Sequence, residues 1–274
     1  MDLLTKVSVL LLLLLSISNA QTDEKEEEVE DSSSEEETDE FELEDVSSTI
    51  LRMNNKSMEE LLEGDLVIPK TRNAMKCLGN PDKCRWPKSS DGIVKVPYVV
   101  SNDYDVSDKE AIKDAMKDFA DKTCVHFVPR NNERAYLSLE PRFGCKSLMG
   151  YAGDKQVVVL QRFGCIKHGV IQHELLHALG FYHEHTRSDR DQHIKIIWDN
   201  IIPYFTHNFD KMDTNNQGTP YDYGSVMHYG RTAFGKDRKE TMIPIPNSNV
   251  AIGQTVGMSD IDILRVNKLY KCSK

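Results

Sequence analysis

Cysteine is missing from the first 76 residues of this 274-residue chain, and none of the six that follow are spaced C-x-x-C. That spacing excludes a paired-cysteine zinc site and leaves the histidines as the better metal candidates. Beyond residue 20 no apolar run is long enough to cross a bilayer, so a helical membrane protein is excluded. Basic clusters interleaved with aromatics are lacking, so no nucleic-acid partner is expected. Internal repeats are lacking as well.

What is present divides the chain into three. "MDLLTKVSVLLLLLLSISNA" has a basic Lys6, an apolar run over 7–15 and a small-x-small end at Ser18-Asn19-Ala20. Those features predict a secretory signal peptide over 1–20, and hence a secreted, soluble protein without a membrane partner. Residues 21–72 hold 19 acidic and 5 basic residues, a net of −14, while 1–20 are neutral. With −10 for the whole chain, residues 73–274 carry −10 + 14 = +4. The run "DEKEEEVEDSSSEEETDEFELED" has little to bury and repels itself, so it is expected to be disordered. A solvated tail is the preferred reading of it; a calcium-binding or phosphorylated tract is the alternative. The body, about 200 residues, suffices for one domain with a core. An even cysteine count in a secreted chain predicts three disulfides.

Within the body, "SDKEAIKDAMKDFADKT" starts with Ser107 and Glu110 in capping-box spacing and continues with Ile112, Ala115, Met116 and Phe119, predicting a helix over 107–121. Strands are expected at 93–100, 125–128, 135–139 and 156–160. "HGVIQHELLHAL" reads as a second helix, ended by Gly180. "SDIDILRVNKLY" reads as a closing helix over 259–270, capped by Ser259 and burying Ile261, Ile263, Leu264, Val266 and Leu269.

The stretch "VIQHELLHALGFYHEHTRSD" crowds four histidines into thirteen positions. His173 and His177 are four apart, hence on one helix face, where both can reach one zinc ion at about 2.0–2.1 Å. Glu174 beside them completes H-E-x-x-H. Zinc lowers the pKa of a bound water and polarises a scissile carbonyl, and a nearby carboxylate can move the water's proton to the leaving amine. A third ligand must come from beyond Gly180. His183 and His185 both qualify, and their spacing does not choose between them.

"HELLHALGFYHE" matches the longer H-E-x-x-H-x-x-G-x-x-H pattern of the metzincins, and the trailing Glu184 resembles the astacin family within that clan. The resemblance makes His183 the third ligand, leaving His185 as an exposed or loop-bonded surplus. "SVMHY", 225–229, is similar to the family's methionine turn. By that resemblance Met227 floors the three histidines, and Tyr229 ligates zinc at rest and later hydrogen-bonds the developing oxyanion. His228 is expected to be structural. The likeness spans about residues 60–272. It implies one zinc per subunit and an α+β, zincin-like fold of two lobes. The N-terminal lobe would hold a twisted sheet and two helices, and the C-terminal lobe would be irregular. Substrate would add as a strand at the sheet edge of the cleft between them.

The same resemblance gives the leader a role. Gly64-Asp65 in "LLEGDLVIPKTR" is similar to the propeptide switch in which an aspartate takes the zinc's water site, although Leu62 stands where the family has an aromatic. Arg72-Asn73 resembles the maturation site cut by a trypsin-like protease, giving a propeptide over 21–72 and a protease domain over 73–274. The freed amino group of Asn73 would then meet Glu184 through water. Storage as a zymogen in secretory granules is consistent with such a lock. The one N-glycosylation sequon, Asn55-Lys56-Ser57, would leave with the leader. The implied disulfides are Cys124–Cys272, Cys145–Cys165 and Cys77–Cys84. The last, with "RWPKSSDGIVKVPYVVS" and "MHYGRTAFG", resembles the six-cysteine subgroup of fish hatching enzymes. Protein substrates, egg-envelope glycoproteins in particular, are therefore expected. The alternatives are a digestive or immune protease with broad substrates and an inactive zinc-binding secreted protein.

Overall fold

The computed structural model describes residues 44–67 and 84–273. The signal peptide, the acidic tract up to residue 43, Arg72, Asn73 and Cys77 lie outside the described residues.

The last residues of the acidic tract open a helix that composition did not announce. Asp45 caps α1 (Val46–Asn54), its carboxylate accepting the Ser48 N–H at 2.9 Å. Val46, Ile50 and Met53, spaced at about one turn, are buried. A hairpin of two short strands follows, β1 (Leu61–Leu62) and β2 (Leu66–Val67).

The main sheet consists of β3 (Val94–Val100), β4 (Val125–Pro129), β5 (Tyr136–Glu140), β6 (Cys145–Lys146) and β7 (Lys155–Leu160), in the order β4-β3-β5-β7-β6. Four strands are parallel; β6 at the edge runs antiparallel to β7. The parallel strands are rich in valine and leucine because helices cover them. Those helices are α2 (Val106–Lys122) and α3 (His168–Leu179). The expected capping box is displaced by two residues. Asp105, not Ser107, caps α2, because its carboxylate reaches the Asp108 N–H and Asp108 reaches back.

From residue 181 onward the chain is mostly 3-10 turns and loops, with a two-stranded ribbon of β8 (Ile194–Ile196) and β9 (Met242–Pro244) and the closing helix α4 (Asp260–Leu269). This gives the expected α+β architecture. One apolar core lies around the sheet, α2 and α3; a second gathers Ile194, Ile201, Phe209, Tyr229 and Met242. Ser259 caps α4 as expected, but Leu264 is exposed, and Asp262 and Arg265 are buried instead. That face of α4 packs against polar partners described below.

Cys124–Cys272 joins the start of β4 to the chain's end across 148 residues, and Cys145–Cys165 ties the edge strand to the turn before α3. A closed loop of the first size removes about 4–5 kcal/mol of unfolded-state entropy on the chain-entropy account. Among the described residues no helix is long and apolar enough to cross a membrane.

Candidate metal centre

α3 is buried over residues 169–179, and so are the polar groups it carries. His173 and His177 sit one turn apart, facing the same way. His173 Nδ1 lies 2.8 Å from the carbonyl of Val226, and His177 Nδ1 lies 2.7 Å from that of Phe181. A carbonyl only accepts, so both Nδ1 atoms carry the proton and both Nε2 atoms present lone pairs. Gly180, at φ +106°, ends the helix in the left-handed conformation. That reversal returns the chain, and His183 Nδ1 comes within 2.5 Å of a carboxylate oxygen of Glu63.

The Nε2 atoms of His177 and His183 each lie 3.1 Å from that of His173. Asp65 enters the same point: Oδ2 is 3.0 Å from His173 Nε2 and 3.2 Å from His183 Nε2, and Oδ1 is 3.4 Å from His177 Nε2. All four side chains are fully buried. Lone pairs and a carboxylate brought this close repel one another unless a cation sits among them. Three imidazoles and a carboxylate are a donor set that zinc accepts at such spacing. Glu174 is buried beside them, and among the described residues neither of its carboxylate oxygens has a hydrogen-bond partner. Burial, then the negative charge of Asp65, holds its carboxyl well above the usual range.

His185 is not part of this convergence. It is buried rather than exposed, with Nε2 3.1 Å from the Asn208 carbonyl and its ring stacked on Tyr229 at 4.5 Å. A side chain in a loop can be buried when the loop closes over the core, which sequence spacing does not show. His228 bonds the Tyr229 carbonyl through Nδ1 (2.7 Å) and the Tyr221 hydroxyl through Nε2 (2.8 Å). Met227 is buried, and its carbonyl accepts the Glu184 N–H at 2.9 Å. The Tyr229 hydroxyl is engaged by the carbonyl of Glu63.

The β1–β2 hairpin lies between the sheet edge at β6 and the irregular half. Ser147, just past β6, donates to the Asp65 carbonyl at 3.1 Å and accepts from the Val67 N–H at 2.9 Å. Gly64 permits the approach. It has φ +90°, and an added Cβ would come within 2.6 Å of Leu51 and 3.0 Å of Phe234.

Glu184 is already satisfied. Arg265 reaches it with two nitrogens (2.5 and 2.9 Å), Arg187 with one (3.2 Å), and the Asp222 N–H donates at 2.7 Å. Burial raises its carboxyl even so, against the lowering pull of Arg265 and Arg187. Asn73, the expected partner, lies outside the described residues. Asp262, one turn before Arg265, accepts from Ser225 Oγ (2.6 Å) and from the Val226 N–H (2.9 Å). α4 therefore anchors both the methionine turn and Glu184. Sequence reasoning missed Asp262, Arg265 and Glu63. The signal for the first two was present as an acid and a base three apart on a helix read only for its apolar face. Removing Arg265 leaves part of a buried carboxylate unpaired, so Arg265→Ala is expected to lower stability by about 3 kcal/mol. Urea unfolding checks this, and a loss below about 1 kcal/mol would show the pair to be dispensable.

Residues 80–271 match the model of the peptidase family Astacin. The chain belongs to the astacin family. It is 83% identical over 234 residues to the low choriolytic enzyme of Oryzias latipes, covering 85% of this chain and 86% of that one. High choriolytic enzyme 1 of the same fish is 51% identical over 229 residues, covering 83% of this chain and 84% of that one. A solved structure of the latter, described as a hatching enzyme zinc-protease, superimposes with a TM-score of 0.69, covering 73% of this chain and all of that chain. This astacin is thus a zinc-dependent metalloendopeptidase.

Proposed function

We propose that the chain is the zymogen of a secreted astacin that digests egg-envelope proteins at hatching, with residues 1–20 its signal peptide, 21–72 its propeptide and 73–274 its protease domain. The observation that carries the zymogen reading is the Asp65 carboxylate, lodged among the Nε2 atoms of His173, His177 and His183. The envelope substrate rests on likeness to two choriolytic enzymes.

In this reading the three histidines hold one zinc ion, which supplies an acidified water and a polarised carbonyl. Glu174, with both oxygens unpartnered among the described residues, accepts the water's proton and hands it to the leaving amine. Tyr229, once released from Glu63, donates to the oxygen on which charge develops. The edge beside β6, now taken by the leader, receives the substrate backbone. Cutting after Arg72 by a trypsin-like protease frees the cleft, and the amino group of Asn73 takes its place near Glu184. Cys77 pairs with Cys84, closing a small loop beside that new terminus.

Trypsin-activated protein, with Glu174→Ala as control, should be incubated with isolated egg envelope and with casein. Envelope digestion that falls by at least about a hundredfold in the control is expected. Casein cleavage with intact envelope would keep the peptidase and remove the hatching role, favouring a digestive or immune protease.

A further inference from the structure

The aspartate is not the only leader side chain in the centre. Glu63, two residues earlier, is fully buried and has a positive φ of 55°, a conformation a side-chain-bearing residue adopts only when its surroundings hold it there. Four contacts do so. Its carboxylate takes His183 Nδ1 at 2.5 Å and the His183 N–H at 3.3 Å. Its N–H donates to Asn208 Oδ1 at 2.9 Å, and its carbonyl accepts from the Tyr229 hydroxyl. No lysine or arginine among the described residues pairs with it.

The three histidines consequently differ in what orients them. His173 and His177 lean on the carbonyls of Val226 and Phe181, which belong to the protease body. His183 alone leans on a residue of the leader. A carboxylate behind a metal-binding imidazole fixes its tautomer and raises the basicity of the ligating nitrogen, and losing such a partner typically costs about ten- to a hundredfold in metal affinity.

We propose that Glu63 is a positioning residue of the zymogen's metal centre: its carboxylate orients His183 for the ion, while its carbonyl keeps the Tyr229 hydroxyl away from it. The leader therefore does more than block a coordination place. It completes the support of the third histidine and withholds the tyrosine, and its excision changes both together. His185 and Asn208 serve as the seat for this arm. The His185 ring stacks on Tyr229 and bonds the Asn208 carbonyl, while the Asn208 side chain holds the Glu63 N–H. This inference rests on the zymogen reading above.

The test is zinc release from intact, uncut protein to a colorimetric chelator, comparing wild type, Glu63→Ala and Glu63→Gln, with Asp65→Ala alongside. Glu63→Ala is expected to release zinc about tenfold faster or more, and Glu63→Gln, which keeps an acceptor but not the charge, by an intermediate factor. After activation all variants yield the same mature chain, so their zinc release and activity must then coincide. That coincidence separates a local effect from a misfolded product. If Glu63→Ala does not fold, Glu63→Gln carries the test with the same sign. Wild-type release rates in the folded Glu63 variants would overturn the proposal, and Asp65→Ala releasing zinc faster in the same series would leave the aspartate lock standing. Fast release from Glu63→Ala with wild-type release and silence in Asp65→Ala would instead remove the aspartate lock and keep Glu63.

Discussion

His183→Ala is expected to empty the centre of zinc and abolish peptide hydrolysis, while His185→Ala keeps its zinc and most of its activity. The two residues are separated by one position and are equally buried. Only His183 directs Nε2 at the point shared with His173 and His177; the Nε2 of His185 is spent on the Asn208 carbonyl. Two imidazoles alone are one short of the three protein ligands that catalytic zinc sites use. The resulting fall in activity is expected to exceed about a thousandfold, since both the acidified water and the polarised carbonyl are lost. His185→Ala removes a ring from a packed aromatic stack and is expected to cost about 1–3 kcal/mol of stability. Zinc content by atomic absorption, measured with activity, distinguishes the two. Retention of zinc by His183→Ala, or equal zinc loss in both, would leave the ligand assignment without support.

How far the sequence reaches is clear from these residues. The spacing of His173 and His177, the helix that carries them and the glycine that ends it follow from local periodicity, and they stand where expected. The choice between His183 and His185 does not follow from periodicity. It depends on how the loop after Gly180 closes, where His185 meets Asn208, 23 positions on, and His183 meets Glu63, 120 positions back. Sheet strands are legible because short apolar or alternating runs, such as those of β3 and β7, stand out from the polar segments around them. The capping residue of α2 is easily misplaced because Asp105 and Ser107 both satisfy cap chemistry, and only the backbone decides between them. α1 is hidden inside an acidic stretch whose charge dominates its composition, although Asp45, Val46, Ile50 and Met53 spell a cap and an apolar stripe. The Glu184–Arg265 pair spans 81 positions, and no short-range pattern encodes it.

Asp65→Ala is expected to turn the silent, uncut protein into a leaky one. The carboxylate now stands within 3.0–3.4 Å of all three Nε2 atoms, and on the proposed reading it takes the place of the reacting water. Alanine has no oxygen to offer there, and the small methyl leaves room for water. The leak should nevertheless be partial. The leader's backbone stays bonded to Ser147 along the sheet edge, which keeps most substrate out, and the Glu63 carbonyl still holds Tyr229. Loss of one oxyanion donor alone costs about a hundred- to a thousandfold, so the uncut mutant should work at no more than about 1% of the rate of the activated enzyme, on a peptide small enough to enter beside the leader. After trypsin treatment mutant and wild type should be indistinguishable, because on the proposed zymogen reading residue 65 leaves with the propeptide. A gel confirming an intact leader must accompany the assay, preferably in an Arg72→Ala background that resists cutting at the maturation site. Silence of the uncut mutant, with normal activity once the Asp65→Ala single mutant is cut, would mean that the hairpin's occupation of the sheet edge, and not the carboxylate, is what restrains the enzyme.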